Sequence, residues 1–369
     1  MNIGRNIIKF IFLAINLLAV GMMLVSLLAS VVSPEKLLFP AFFSLVIPLT
    51  IAMNIFFVFF WLIFKKWIAL LSLITLILSF NVCRTVLPIN FDSKAELAAA
   101  DSATFTLLTY NTHANDMMTK HKPDKPNPVI QYMLDKDPDI LCIQEFSVRD
   151  TEEHLTEEDV LRIFSKYPYR FISYIVETGW SSYGVAIFSK FPLKNGKTLE
   201  FKSSNNTTVH VDVEFNGKMF RLYNCHLETN KLTESDVNMA NRLRYELDAE
   251  LIKGTTLHLS KKLGAAYPVR AQQADIIAAS IKSSPYPVVV VGDFNDVPAS
   301  YAYTKIRGNL KDAFVEKGTG LGWTYNASVF RFRIDHILFD PTFKLLDFKL
   351  DNKARHSDHF PLMCRLRYE

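Results

Sequence analysis

The sequence predicts an α/β domain carried behind an all-helical membrane region, and three observations lead there. The first ninety residues hold three long stretches without a charge, Phe10 to Pro34, Leu37 to Phe64 and Trp67 to Cys83, while a membrane-spanning helix needs about 20 mainly apolar residues. From residue 103 onward, short apolar runs alternate with segments of helical spacing, the rhythm of strands and covering helices. The roughly 265 residues of this second part suit one large domain with two sheets rather than two domains.

Taken in order, the first span is expected at about residues 10–33, preceded by Arg5 and Lys9. A cleaved signal peptide competes for this run, since Ala29 and Ser30 supply small residues at its end. The length of the run and the two stretches behind it favour three spans. The second covers about residues 38–64, where Pro40 and Pro48 either kink the helix or move its start inward. The third covers about residues 67–88 and passes Arg84 by snorkelling. Arg5, Lys9, Lys65 and Lys66 outweigh Lys36 and Arg84, so the positive-inside rule places the N-terminus in the cytoplasm and exports the chain beyond the third span. In a Gram-negative bacterium that compartment is the periplasm. Residues 92–102, polar with an Ala-rich middle, read as a linker.

The soluble part begins with a strand over Thr104 to Tyr110, a helix near Val129 to Lys136, a strand over Ile140 to Glu145 and an acidic helix near Glu152 to Lys166. Further strands are expected at Tyr169 to Val176, Gly184 to Ser189, Val209 to Glu214, Phe220 to Tyr223 and Pro287 to Val291. Between Leu232 and Ser283, Gly254, Gly264 and Pro268 interrupt the helical spacing and predict two or three helices, one starting near Pro268 and Arg270. Arg270 reads as a structural ion pair first and a phosphate contact second. The segment GTGLGWTYN, Gly318 to Asn326, is expected either to form a specificity loop through Trp323 and Tyr325 or to bury Trp323 in the core.

Charge separates the two parts. The chain has 41 Lys and Arg against 37 Asp and Glu, of which residues 1 to 91 hold six and one, leaving 35 and 36 beyond. A soluble part near neutrality argues against a protein that clamps long nucleic acids, because phosphate neutralisation supplies much of that affinity. Cys142, Cys225 and Cys364 lie in apolar runs and read as buried thiols rather than a disulfide framework.

Polar clusters beside the apolar runs carry the chemistry. GDFN closes the run ending at Val291 and puts Asp293 and Asn295 on one exposed edge, an anionic acceptor next to a neutral donor, suited to orienting a water and holding a phosphoryl oxygen. TYNTH carries Asn111, QEF Glu145, NCHLET His226, RIDHILF Asp335 and His336, and SDHFPL Asp358 and His359. Any one alone reads as a turn residue or a surface charge; the ordered set does not. Hydrolysis of an anionic ester calls for a hard cation on oxygen ligands, donors on the non-bridging oxygens and an in-line water. No Cys and His spacing of a zinc site, no Gly-rich phosphate loop and no Gly-x-Ser-x-Gly elbow is present.

Over residues 103 to 369 the ordered motifs QE, GDFN, RID and SDH resemble those of the endonuclease/exonuclease/phosphatase superfamily, which includes pancreatic-type deoxyribonuclease, inositol polyphosphate 5-phosphatases and neutral sphingomyelinases. The resemblance implies a four-layered sandwich of two mixed β-sheets flanked by helices. It implies Glu145 as the main ligand of a divalent metal, for which the oxygen donors suit magnesium with manganese as a substitute, Asn111 near the metal and the phosphate, and Asp358 as a second metal ligand or a carboxylate just behind the first. Asp293 would orient or deprotonate the attacking water, Asn295 and His226 would hold phosphate oxygens, and His359, oriented by Asp335, would clamp phosphate or move a proton. His113 stands where some nuclease members carry an acid, which weakens any metal arrangement that needs a carboxylate there. The expectation is a membrane-anchored phosphoesterase acting on a small phosphoester or lipid headgroup beside the bilayer, with no protein partner inferred. A tethered nuclease acting on DNA and an inactive binding module are the alternatives; the presence of every motif residue counts against the last.

Overall fold

The computed structural model describes residues 2–91, 103–116, 120–121, 126–151, 153–201, 203, 205–246, 248–327 and 330–369. The expected linker at 92–102 lies outside the described residues. Apolar runs beyond residue 103 become strands because Val, Ile and Phe fit a pleated surface buried on one or both faces. In chain order the strands are β1 (Thr104–Asn111), β2 (Ile140–Arg149), β3 (Tyr169–Glu177), β4 (Ser181–Ser189), β5 (Leu193–Leu199), β6 (Thr208–Phe215) and β7 (Lys218–His226). They continue with β8 (Val288–Asp293), β9 (Lys311–Asp312), β10 (Tyr325–Ala327), β11 (Phe330–Phe332), β12 (Asp335–Phe339), β13 (Phe343–Leu350) and β14 (Leu362–Tyr368).

Two six-stranded sheets result, ordered β13-β14-β1-β2-β4-β3 and β5-β6-β7-β8-β12-β9, beside a small β10-β11 hairpin. Each large sheet is antiparallel except at its centre, where β1 runs parallel to β2 and β7 parallel to β8. Phe105, Ile140 and Val185 of the first sheet meet Val211, Phe220 and Val289 of the second in one core, each buried apolar side chain stabilising the sandwich by about 1.5–3 kcal/mol. Val129, Met133 and Val160 from helices cover the outer face of the first sheet. Ala274, Ile277 and Tyr303 from helices cover that of the second. The fold is therefore the expected four-layered α/β sandwich. The acidic helix is shorter than expected, Glu157–Ile163, because a Thr156–Asp159 capping box sets its start.

The N-terminal region is helical: α1 (Asn2–Ala29), α2 (Phe39–Phe43), α3 (Ile47–Phe64), α4 (Lys66–Leu78) and α5 (Phe80–Val86). The segments Asn6–Ala29 and Phe39–Phe64 are each long and apolar enough to cross a membrane. A one-turn 3-10 helix at Ser44–Val46 interrupts the second, just ahead of Pro48, where a missing N–H is tolerated in a first turn. The third expected span is not one straight helix: α4 and α5 meet at 67°. The helices pair through buried polar groups, with Asn16 Nδ2 donating to Ser72 Oγ (2.6 Å) and Trp61 Nε1 to Asn16 Oδ1 (3.0 Å).

One end of this bundle packs on the α/β sandwich. Met23, Ile47, Ile51 and Val86 form a cluster with Ala299, against which Leu321 also packs. The guanidinium of Arg333 donates to the Thr85 carbonyl, Asn90 Nδ2 donates to the Val315 carbonyl (3.1 Å), and Gly320 N to the Pro88 carbonyl (2.9 Å). Ala19, Phe57, Trp61 and Ala69 form a second cluster toward the opposite end. Half of the GTGLGWTYN segment thus serves as a dock for the membrane region. Between Leu232 and Ser283 stand two helices, Glu234–Arg242 and Ala249–Lys282, within the expected two or three, but none starts near Pro268 and Arg270: the second runs on through both. Gly264, four residues before Pro268, lies against Leu38 and Phe42, and Tyr267 packs edge-on against Phe42. This packing holds the helix together across the bond that proline removes.

Candidate active site

The carboxyl ends of the two central parallel pairs come together at one edge of the sandwich. Asn111 ends β1, His226 ends β7 and Asp293 ends β8, and register places His226 and Asp335 on either side of Asp293. Gly292 makes this edge possible. Its φ is +124°, and a Cβ there would stand 2.1 Å from the Cys225 carbonyl oxygen, so no other residue fits between β7 and the turn that presents Asp293. Glu145 sits in β2 where the register slips between Gln144 and Phe146, with φ +56°. The bulge re-aims its carboxylate from the sheet face into the site. Asn295 is also left-handed, at φ +51°.

Asp293 is the hub. Its Oδ2 accepts from Asn111 Nδ2 (2.9 Å) and Asn295 Nδ2 (3.1 Å), and its Oδ1 from the Asn295 N–H (2.7 Å). His226 Nε2 and His359 Nε2 each stand 3.9 Å from Oδ2. His359 Nδ1 bonds Asp335 Oδ2 at 2.8 Å. Glu145 Oε1 lies 3.3 Å from Asn111 Nδ2 and 3.6 Å from His226 Nε2. Asp358 faces the half-exposed His113 at 3.9 Å.

A cavity of about 580 Å³ opens over these groups, lined among others by Glu145, Asp293, Asn295, Asp358 and His359. Of the eight residues expected from the sequence, those five line it. Asn111, His226 and Asp335 lie one layer behind. Asn111 is committed at both ends, its Oδ1 accepting from the His113 N–H at 3.1 Å, so it positions Glu145 and Asp293 and leaves no group free for phosphate. Asn295 is similar: its amide also donates to the Leu227 carbonyl at 3.0 Å.

Residues 108–359 match the Endonuclease/Exonuclease/phosphatase family. The chain belongs to that family. Residues 9–86 match a domain of unknown function, DUF8431, and no curated protein matches. Among solved structures, human Nocturnin's catalytic domain with a bound sulfate anion is 16% identical, with TM-score 0.50 over 72% of this chain and 95% of that one. A humanized D. rerio TDP2 is 14% identical, with TM-score 0.50 over 72% and 99%. These likenesses show the fold. As a member of the endonuclease/exonuclease/phosphatase family the protein is a phosphoester-hydrolysing enzyme that depends on a divalent metal.

The electrostatics of this family member's site fit such a cation. Burial first, then the Asp335 charge, pushes the Asp293 carboxyl up to about 7. Burial would lower His359, but Asp335 and Asp293 outweigh it and hold the imidazole well above its usual value, so it stands as a cation sharing Nδ1–H with Asp335. Burial lowers His226. Burial and the charges of Glu145, Asp293 and Asp358 push the Tyr183 phenol far above its ordinary range, and Tyr325 is raised by burial and the same three carboxylates. Among the described residues no Lys or Arg pairs with Glu145, Asp293 or Asp358. Hard oxygen donors with a surplus of negative charge suit magnesium-like ions. Asp293, Asp335 and His359 group closely enough to hold an ion, with His359 Nδ1 on Asp335 and Nε2 left as its ligand atom. Glu145 and Asp358 are the more open carboxylates lining the cavity.

Sequence reading missed three contributors. Asn206 faces His226 Nε2 at 3.0 Å. Tyr183 closes over Glu145 from β4, and Thr324 Oγ1 accepts from the Asp335 N–H at 3.0 Å. Nothing in their local sequence marks them, because each acts on a residue of another segment that only the fold brings beside it. Arg270 takes its structural role, buried and bonded to Asp296 (3.2 Å) and the Glu228 carbonyl (2.9 Å). Trp323 is neither core nor cavity wall: it is 40% exposed beneath the Arg331 guanidinium, and Tyr325 lines the cavity instead.

Proposed function

We propose that this protein is a membrane-anchored, magnesium-dependent phosphoesterase whose attacking water is oriented by Asp293. The observation that carries the reading is the convergence of Asn111, His226, Asn295 and His359 on the one buried carboxylate of Asp293. A buried carboxylate held by two amides with two imidazoles beside it is an arrangement suited to general-base chemistry. Raised toward neutrality, Asp293 is matched to accepting a proton from water.

Glu145 and Asp358 are the ligands for magnesium, with manganese as a substitute, and Asn111 fixes the Glu145 carboxylate. The ion, when bound, supplies Lewis-acid neutralisation of the phosphoryl oxygens. His359, kept cationic by Asp335, donates Nε2–H to the phosphoryl group or to the leaving oxygen. Asn295 and His226 hold the Asp293 and Glu145 carboxylates in register for that step. The structural unit of this function is residues 103–369, tethered by residues 1–91 through 92–102.

Lys9, Lys65 and Lys66 flank the ends of α1, α3 and α4 remote from the catalytic domain. With them in the cytoplasm, the catalytic domain works on the exported side. The near-neutral soluble part favours small phosphoesters or lipid headgroups over long DNA. The test is hydrolysis by the full chain, with magnesium, of phosphomonoesters, phosphodiesters, phospholipid vesicles and duplex DNA across a salt series. Turnover of esters or lipids supports the reading. DNA cleavage alone, falling steeply with salt, replaces it with a tethered nuclease.

A further inference from the structure

The cavity over Asp293 is much larger than a phosphoryl group requires; its volume of about 580 Å³ is that of a site for a whole drug-sized ligand. Its far wall is hydrocarbon. Leu45 comes from the 3-10 turn between α2 and α3, Leu259 and Leu263 from the long helix Ala249–Lys282, and Phe330 and Phe332 from the β10-β11 hairpin. Leu45 belongs to Phe39–Phe64, a segment apolar enough to cross a membrane, so the apolar end of the cavity begins where the membrane region meets the catalytic domain. The cations on the rim are already engaged. Arg270 is held by Asp296, Lys231 lies 3.2 Å from Glu228, and Arg149 sits over the Trp180 ring. Arg149 is thus the one of these three without a carboxylate partner among the described residues, and the other two are spent.

We propose that the substrate is an amphipathic phosphoester, its phosphoryl group at Asp293 and His359 and its hydrocarbon chain in the chamber walled by Leu45, Leu259 and Leu263. This deepens the phosphoesterase reading and rests on it. A chain leaving the bilayer beside α2 meets Leu45 first and reaches the carboxylates without crossing water, so the anchor is part of the binding site as well as a tether. On its outward side the first half of the same helix exposes Leu257 (69%) and Ile252 (42%), consistent with a helix lying at an interface.

The test uses the full chain in lipid nanodiscs with magnesium, titrated calorimetrically with alkyl phosphates from butyl to decyl, with empty nanodiscs as blank. The dissociation constant falls about fourfold per methylene while the chain is entering the chamber, then levels off. Leu263→Glu and Leu259→Glu flatten that dependence, Leu263→Ala weakens it without burying a charge, and Leu161→Glu, an exposed change on another helix, leaves it as in the parent. A flat series in the parent overturns the proposal. So does an unchanged slope in Leu263→Glu, which would place the chain in the bilayer, or adenosine monophosphate binding as tightly as the decyl ester, which would make the chamber a nucleotide site. If decyl phosphate binds with the expected slope but is indifferent to magnesium and to Glu145→Gln, the phosphoesterase assignment itself fails.

Discussion

Replacing Asp293 by Asn tests both the chemistry and the electrostatics of the hub. The folded-state carboxyl is held near 7 against an ordinary 3.8, so between those values the folded protein binds a proton that the unfolded chain has released. Stability in chelator therefore falls as pH rises through that window. At about 1.4 kcal/mol per pH unit the loss from this group is about 4 kcal/mol, complete above neutrality. Asn cannot titrate, so Asp293→Asn removes this slope. His359, raised in the same direction, keeps a smaller fall above 6.5, because Asp335 still faces it. The assay is thermal melting of the full chain in chelator from pH 4 to pH 8, beside turnover at saturating magnesium. Melting temperature should decline with pH by several degrees more in the parent than in the variant, and turnover should drop about a hundredfold or more, as for loss of a preorganised polar group. Equal pH slopes would show that Asp293 is not held protonated. Retained turnover would remove it from the mechanism.

Chelation should abolish activity and magnesium or manganese should restore it; Glu145→Gln should raise the magnesium needed for half-maximal rate by more than the about tenfold typical of losing a ligand's hydrogen-bond partner, read from a metal titration. His359→Ala should lower turnover about as severely as Asp293→Asn, with melting in magnesium showing whether the fold survives. Gly292→Ala should destabilise by more than about 4 kcal/mol, because its Cβ would overlap the Cys225 carbonyl at 2.1 Å with φ at +124°; a melting temperature like the parent's would contradict that packing. A periplasmic phosphatase fused after Glu369 should be active, and a fluorescent protein that matures only in the cytoplasm should be dark; the reverse pattern would put the catalytic domain inside.

The sequence by itself determined most of the strands and the polar motif residues set at their ends, since both are local properties. A run such as Val288 to Val291 can only be a buried strand, and the polar residues directly after it must emerge at its end. The same locality made the long helix unreadable: Gly264 and Pro268 look like breaks until Leu38 and Phe42 are seen to pack beside them. Short strands such as β9 and β10 carry too few residues for a period to show. Tertiary structure alone decided which site residues line the cavity and which stand behind it. Asn111 and Asn295 read as phosphate donors because an amide can donate; only the fold shows their donors already spent on Asp293, Glu145 and the Leu227 carbonyl. It also decided that Leu45, in the middle of a stretch that reads as a membrane span, walls the catalytic cavity. Burial and charge at a point depend on every segment that arrives there, and a chain read one residue at a time does not contain that sum.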